Sequence, residues 1–100
     1  MIIKDLSISV SSGTGQAIFT VIGLLKGISI KAPSGAAQYD YEITDADGHG
    51  VLGATGVVGR AKASDEEAVK GANTFTISNA TVDGTYQIRM WILFAESFKR

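Results

Sequence analysis

The sequence predicts an antiparallel β-sandwich or barrel, and three observations carry that reading. Apolar residues recur at every second position in run after run. Clusters of Gly, Asn, Asp and Ser separate these runs at intervals of roughly 8–12 residues. Only one stretch, 61–72, has helix-start chemistry, and its apolar face would consist of Ala61, Ala68, Val69 and Ala72 alone.

Taken in order, Ile2, Leu6, Ile8 and Val10 share one face of a first strand, with Lys4 as the exception and Ser7 and Ser9 opposite. Ser11-Ser12-Gly13-Thr14-Gly15 is a loop by composition. Ala17-Ile18-Phe19-Thr20-Val21-Ile22 is a β-branched and aromatic strand, and Gly23 marks its end or a bulge. A separate strand follows over 24–32, where Ile28, Ile30 and Ala32 oppose Ser29 and Lys31, with Gly27 as a second candidate bulge. Pro33-Ser34-Gly35 stops it. Over 38–44, Tyr39, Tyr41 and Ile43 alternate with Gln38, Asp40, Glu42 and Thr44, and Asp45-Ala46-Asp47-Gly48 forms a turn. Five glycines break 48–59 into a bent loop that leaves room for short strands at Val51-Leu52 and Val57-Val58. The segment 60–72 is expected to be one long loop, carrying at most two helical turns from Ser64-Asp65-Glu66-Glu67. Phe75 and Ile77 point inward from the next strand, over 73–79. The last strand, 84–94, places Tyr86, Ile88, Met90, Ile92 and Phe94 on one face. Six to seven strands therefore form a single domain over 1–95, with a tail at 96–100. The first strand is expected to pair far along the chain.

Composition excludes several function classes. Nine basic residues against ten acidic ones leave no strongly basic nucleic-acid footprint. The absence of Cys removes disulfides, thiolate nucleophiles and Cys-based metal sites, and a single His cannot build a His-rich metal site. No stretch approaches the ~20 apolar residues of a spanning helix, and Met1-Ile2-Ile3-Lys4-Asp5 lacks the pattern of a signal peptide. The chain is expected to be a complete short reading frame, made in the cytoplasm.

Two motifs have a possible chemistry. Val51-Leu52-Gly53-Ala54-Thr55-Gly56-Val57-Val58-Gly59-Arg60 resembles the glycine fingerprint of short-chain-dehydrogenase-like NAD(P)-binding domains. That resemblance implies a pyrophosphate held at a helix N-terminus by the Gly53–Gly59 loop. The fingerprint requires a hydrophobic strand before it and an amphipathic helix after it, and neither pattern is present here. Asp45-Ala46-Asp47-Gly48 is similar to half of a calcium loop, which makes Asp45 and Asp47 metal-ligand candidates, with Asp40 and Glu42 nearby on the polar face as candidate further oxygens. The Glu that would close such a loop is replaced by Gly56. No nucleophile, base and oxyanion site assemble by spacing, so no catalytic residue and no cofactor is expected.

Ile77-Ser78-Asn79-Ala80-Thr81-Val82-Asp83-Gly84-Thr85-Tyr86 resembles the tyrosine corner of immunoglobulin-like sandwiches. The resemblance implies that the Tyr86 hydroxyl bonds to upstream backbone and pins the turn between two strands. The chain departs from antibody domains in having no Cys pair and no mid-chain Trp.

In the last strand, Met90-Trp91-Ile92-Leu93-Phe94 is apolar on both faces, whereas a sandwich strand has one wet face. Trp91 and Leu93 are either covered by the 60–72 loop or buried against another subunit. The first strand has few gatekeeping charges, so Ile3 joins them as an interface candidate. In size and architecture the chain is similar to small Ig-like virion proteins of tailed bacteriophages, such as head-decoration (cement) proteins. That resemblance implies a structural protein, located in the virion, whose partners are itself and a major capsid or tail protein. A carbohydrate- or cell-surface-binding module is the alternative, with Tyr39 and Tyr41 as a stacking platform.

Overall fold

A single strand of 17 residues organises the molecule. The computed structural model describes residues 2–63 and 67–94, which form seven strands. These are β1 (Ile2–Val10), β2 (Gly15–Lys31), β3 (Gln38–Thr44), β4 (Gly50–Val58), β5 (Arg60–Ala63), β6 (Glu67–Ser78) and β7 (Gly84–Phe94). There is no helix among the described residues. Every ladder is antiparallel, in the order β1-β7-β2-β6-β3-β4, with β5 also on β2. The first part of β2 pairs with β6, from Gly15 to Leu25, and the second part pairs with β7 from Gly23 and with β5 from Ile28. β2 is thus shared by two sheets, β1-β7-β2-β5 and β2-β6-β3-β4, which pack as a sandwich.

Two local devices let one strand serve both sheets. A Cβ on Gly23 would lie 2.2 Å from the Leu93 carbonyl oxygen, so only glycine permits this approach of β2 to β7. The ladder to β7 then shifts between Leu25 and Gly27. Before the shift the buried residues are Phe19, Val21 and Leu25; after it they are Ile28 and Ile30. One inserted residue has moved the core-facing side from odd to even positions.

Three sequence expectations are corrected here. Gly23 does not end a strand, and 24–32 is not a separate one, because the bulge joins the two runs into β2. Residues 48–59 are not a bent loop but mostly the edge strand β4, whose ladder to β3 shifts register twice to absorb its glycines. The expected long loop at 60–72 is strand in β5 and in the start of β6, which satisfy the backbone of β2. Ladder pairing to distant segments overrides weak local helix propensity. Residues 64–66 and the tail 96–100 lie outside the described residues.

One core lies between the sheets. Tyr39 from β3 meets Tyr86 from β7 edge to face, with centroids 5.1 Å apart, and Tyr41 stacks on Phe75 at 5.8 Å. Tyr41 and Ile43 are buried like Tyr39, as the alternation requires. The expected corner bond is present, with the Tyr86 hydroxyl donating to the Val82 carbonyl at 2.8 Å. Its neighbour Asp83 accepts from the Ser12 and Gly13 amides, both at 3.0 Å. Those two residues have positive φ and turn β1 into β2 across the sandwich. β1 pairs with β7 from the far end of the chain, Ile2 opposite Ile92 through Val10 opposite Gly84.

Ile88, buried in the middle of β7, is expected to cost about 2–5 kcal/mol when replaced by Ala. Urea unfolding measures this, and a loss below about 0.5 kcal/mol would place the residue at the surface. A second expectation concerns alkali. The buried Tyr39 hydroxyl donates to the Gly59 carbonyl at 2.8 Å. Burial, followed by the neighbouring Tyr86 and Tyr41, pushes its pKa from 10.0 up to about 12. The folded state therefore holds this proton more tightly than the unfolded chain. Its contribution is complete below about pH 10 and is lost as pH rises toward about 12. Denaturation at graded alkaline pH should show the decline, and Tyr39→Phe should flatten it while costing about 1–3 kcal/mol at neutral pH.

Candidate functional site

Alternation along β7 puts Tyr86, Ile88, Met90 and Ile92 in the core and leaves Gln87, Arg89, Trp91 and Leu93 on the outer face of the sheet. The ladders then set the neighbours of each. Trp91 lies between Ile3 on β1 and Gly27 on β2, and Leu93 lies opposite Leu24. Ile3 is 57% exposed, while Trp91, Leu93 and Leu24 are half-buried. Gly27 is itself buried. The three interface candidates Ile3, Trp91 and Leu93 therefore share one surface, and Leu24, which the sequence reading missed, belongs with them.

The remainder of that face is polar. Asp5, Arg89, Ser29 and Lys62 form one cross-strand row, and Ser7, Gln87, Lys31 and Arg60 form the next. Arg89 donates to both Asp5 carboxylate oxygens, from Nε at 2.8 Å and Nη2 at 3.1 Å. The guanidinium holds the Asp5 carboxyl below the usual carboxylate range. Both side chains are more than half exposed, so the pair adds little stability and acts instead to orient two outer-face side chains.

β5 does not fold over Trp91. It lies in the same sheet, beside β2, and widens the outer face. β6, which contains 67–72, belongs to the other sheet. The described parts of 60–72 are thus strands of the two sheets and not a loop laid over Trp91, and the rest of that expectation, at 64–66, lies outside the described residues.

The other candidates are accounted for differently. Asp45 uses Oδ1 to accept from the Asp47 and His49 amides at 3.0 and 2.9 Å, and its carbonyl accepts from Gly48, closing the β3–β4 hairpin. No group of three or more His, Asp or Glu side chains gathers around Asp45 and Asp47 among the described residues. The Gly53–Gly59 segment is mostly edge strand, and the following residues are β5, with no helix N-terminus at the fingerprint. Gly53 and Gly59 have packing roles, whereas Gly56 has positive φ with open space around it. A Cβ on Gly53 would lie 2.9 Å from the Tyr41 carbonyl oxygen, and one on Gly59 would lie 2.7 Å from that of Gly35. Tyr39 and Tyr41 are core residues and offer no exposed stacking surface.

No protein-family model matches the chain, and comparison with curated proteins finds no significant match.

Asp40, which the sequence offered only as a candidate further oxygen for the calcium-like loop, holds two structural bonds instead. Its carboxylate accepts from the Asn79 side chain at 2.8 Å and from the Gly56 amide at 2.8 Å, joining the β6 end to the bulged β4. The Asn79 bond first and the Gly56 bond second lower its pKa below 3.8. Its contribution is present above that value and is lost as pH falls through the lower folded-state value. Thermal unfolding followed by circular dichroism from about pH 5 down to about pH 2 should show this loss. Asp40→Asn should make the midpoint less steep in acid; an unchanged slope would show that the carboxylate is not bound in this way.

Proposed function

We propose that this chain is a non-enzymatic structural protein, a virion component that decorates or stabilises a capsid or tail lattice of a tailed bacteriophage. The apolar end of the outer face, where Ile3, Trp91, Leu93 and Leu24 meet, carries the assembly part of this reading. A half-buried Trp beside an exposed Ile is the type of surface that another subunit covers. The virion part rests on the size and sandwich architecture that the chain shares with small decoration proteins.

The mechanism is differential burial. Apolar surface covered only in the assembled state contributes free energy to that state alone and shifts the equilibrium toward it. The outer face serves this better than the edge of β1. Lys4 shares the core-facing side of β1 with Leu6, Ile8 and Val10, and an inward charge of this kind discourages strand addition at an edge. The partners are further copies of the chain and a major capsid or tail protein.

Light scattering over a concentration series, with co-sedimentation on phage particles, tests the proposal. Trp91→Ala is expected to weaken assembly by about 2 kcal/mol or more, roughly 30-fold in dissociation constant. Its far-ultraviolet circular dichroism should remain that of the wild type. A clean monomer with no binding to particles and no effect of the substitution would overturn the reading.

A further inference from the structure

The two outer faces of the sandwich differ in charge. On the Trp91 face, the adjacent rows place Lys31, Arg60, Lys62 and Arg89 together, with Asp5 as the one acidic neighbour in those rows. The other outer face carries Asp40 and Glu42 on β3, and the hairpin that follows adds Asp45 and Asp47. Among its described side chains there is no cation; that of Lys70 lies outside the described set. Ile18 on β2, 64% exposed, and Val58 on β4, 57% exposed, lie on either side of Asp40 and Glu42. Between them lie the small residues Thr74, Thr76, Ser78 and Gly53, the last two lining a depression with Asp40 and Glu42. The chain's formal charge of −1 conceals this separation.

We infer that copies of this chain stack on one another, with the Trp91 face of one copy seated on the β3 face of the next. This rests on the reading that the protein works by assembly, and adds which surface receives Trp91. Two Trp91 faces pressed together would set one cluster of cations against another, and like charges across an interface are strongly disfavoured. The β3 face offers the opposite charge, exposed aliphatic side chains and a surface without bulky groups where an indole can lie. A contact between two different faces of the same chain is heterologous. It closes into a ring or continues as a stack, and it does not terminate as a two-fold dimer.

Charge reversal tests this in the full chain. One variant combines Lys31→Glu, Arg60→Glu and Lys62→Glu; the other combines Glu42→Lys and Asp47→Lys. Arg89 and Asp40 are left alone because each holds a structural bond. Multi-angle light scattering at low salt is expected to show each variant assembling about tenfold more weakly than wild type, or not at all. Mixing them should restore contact as mixed pairs, because the unaltered Trp91 face of the second variant can seat on the unaltered β3 face of the first. Circular dichroism confirms the fold of each, and Lys62→Glu with Glu42→Lys replaces any pair that fails to fold. Wild-type assembly should also weaken as salt rises. Trp91-dependent assembly that ignores both reversals and salt would overturn the stacking and leave the structural role standing. A wild-type chain that stays monomeric yet binds particles through Trp91 would do the same. A chain that neither assembles nor binds particles would overturn both.

Discussion

The fold depends on β2 passing from one sheet to the other without breaking its ladders. A strand buried on its core face must keep its backbone groups paired along the whole passage, since an unpaired buried amide or carbonyl is costly. At Gly23 to Leu25 the strand has β6 on one side and β7 on the other. That double pairing requires β7 to come close enough to exclude any side chain at Gly23. The bulge at Lys26 and Gly27 then turns the apolar side back toward the core. β5 pairs with the exit of β2, and β6 with its entrance.

The turn end of the sandwich is held by a small set of polar bonds around the Asp83–Tyr86 segment. Tyr86 fixes its own corner, while Asp83 reaches across to the turn between β1 and β2. The two aromatic rings at this end, Tyr39 and Tyr86, pack across the sheets, and the Tyr39 hydroxyl is bonded to Gly59 just before β5. Core and corner therefore share residues, and the register of β1 on β7 follows from both. That register is what places Ile3 beside Trp91 and Asp5 beside Arg89. The surface proposed to drive assembly is thus a consequence of the same constraints that close the core.

Some of this was legible in residue order. The alternation of Tyr39, Tyr41 and Ile43, and of Tyr86, Ile88, Met90 and Ile92, marks core faces, because side chains on a strand repeat every second residue. The corner at Asp83 to Tyr86 was legible because its main bond joins residues four apart. Trp91 and Leu93 stood out as apolar on a face that should be wet. The continuity of β2 was not legible, since a bulge breaks the period that would reveal it. The pairing of 60–63 and 67–72 was equally hidden, because those residues gain their partners from β2 and carry little strand signal of their own.

Sequence by itself determined the class of fold, the core faces of the regular strands, the tyrosine corner and the suspicion attached to Trp91. These are local properties, set by periods and spacings within a few residues. Tertiary structure alone decided how far β2 runs, that Leu24 lies opposite Leu93, and how charge divides between two outer faces. Lys31, the Arg60–Lys62 pair of β5 and Arg89 are far apart in the chain and become neighbours only through ladder register. Register is a collective result of core burial, bulges and turn geometry acting together, and no single segment contains it.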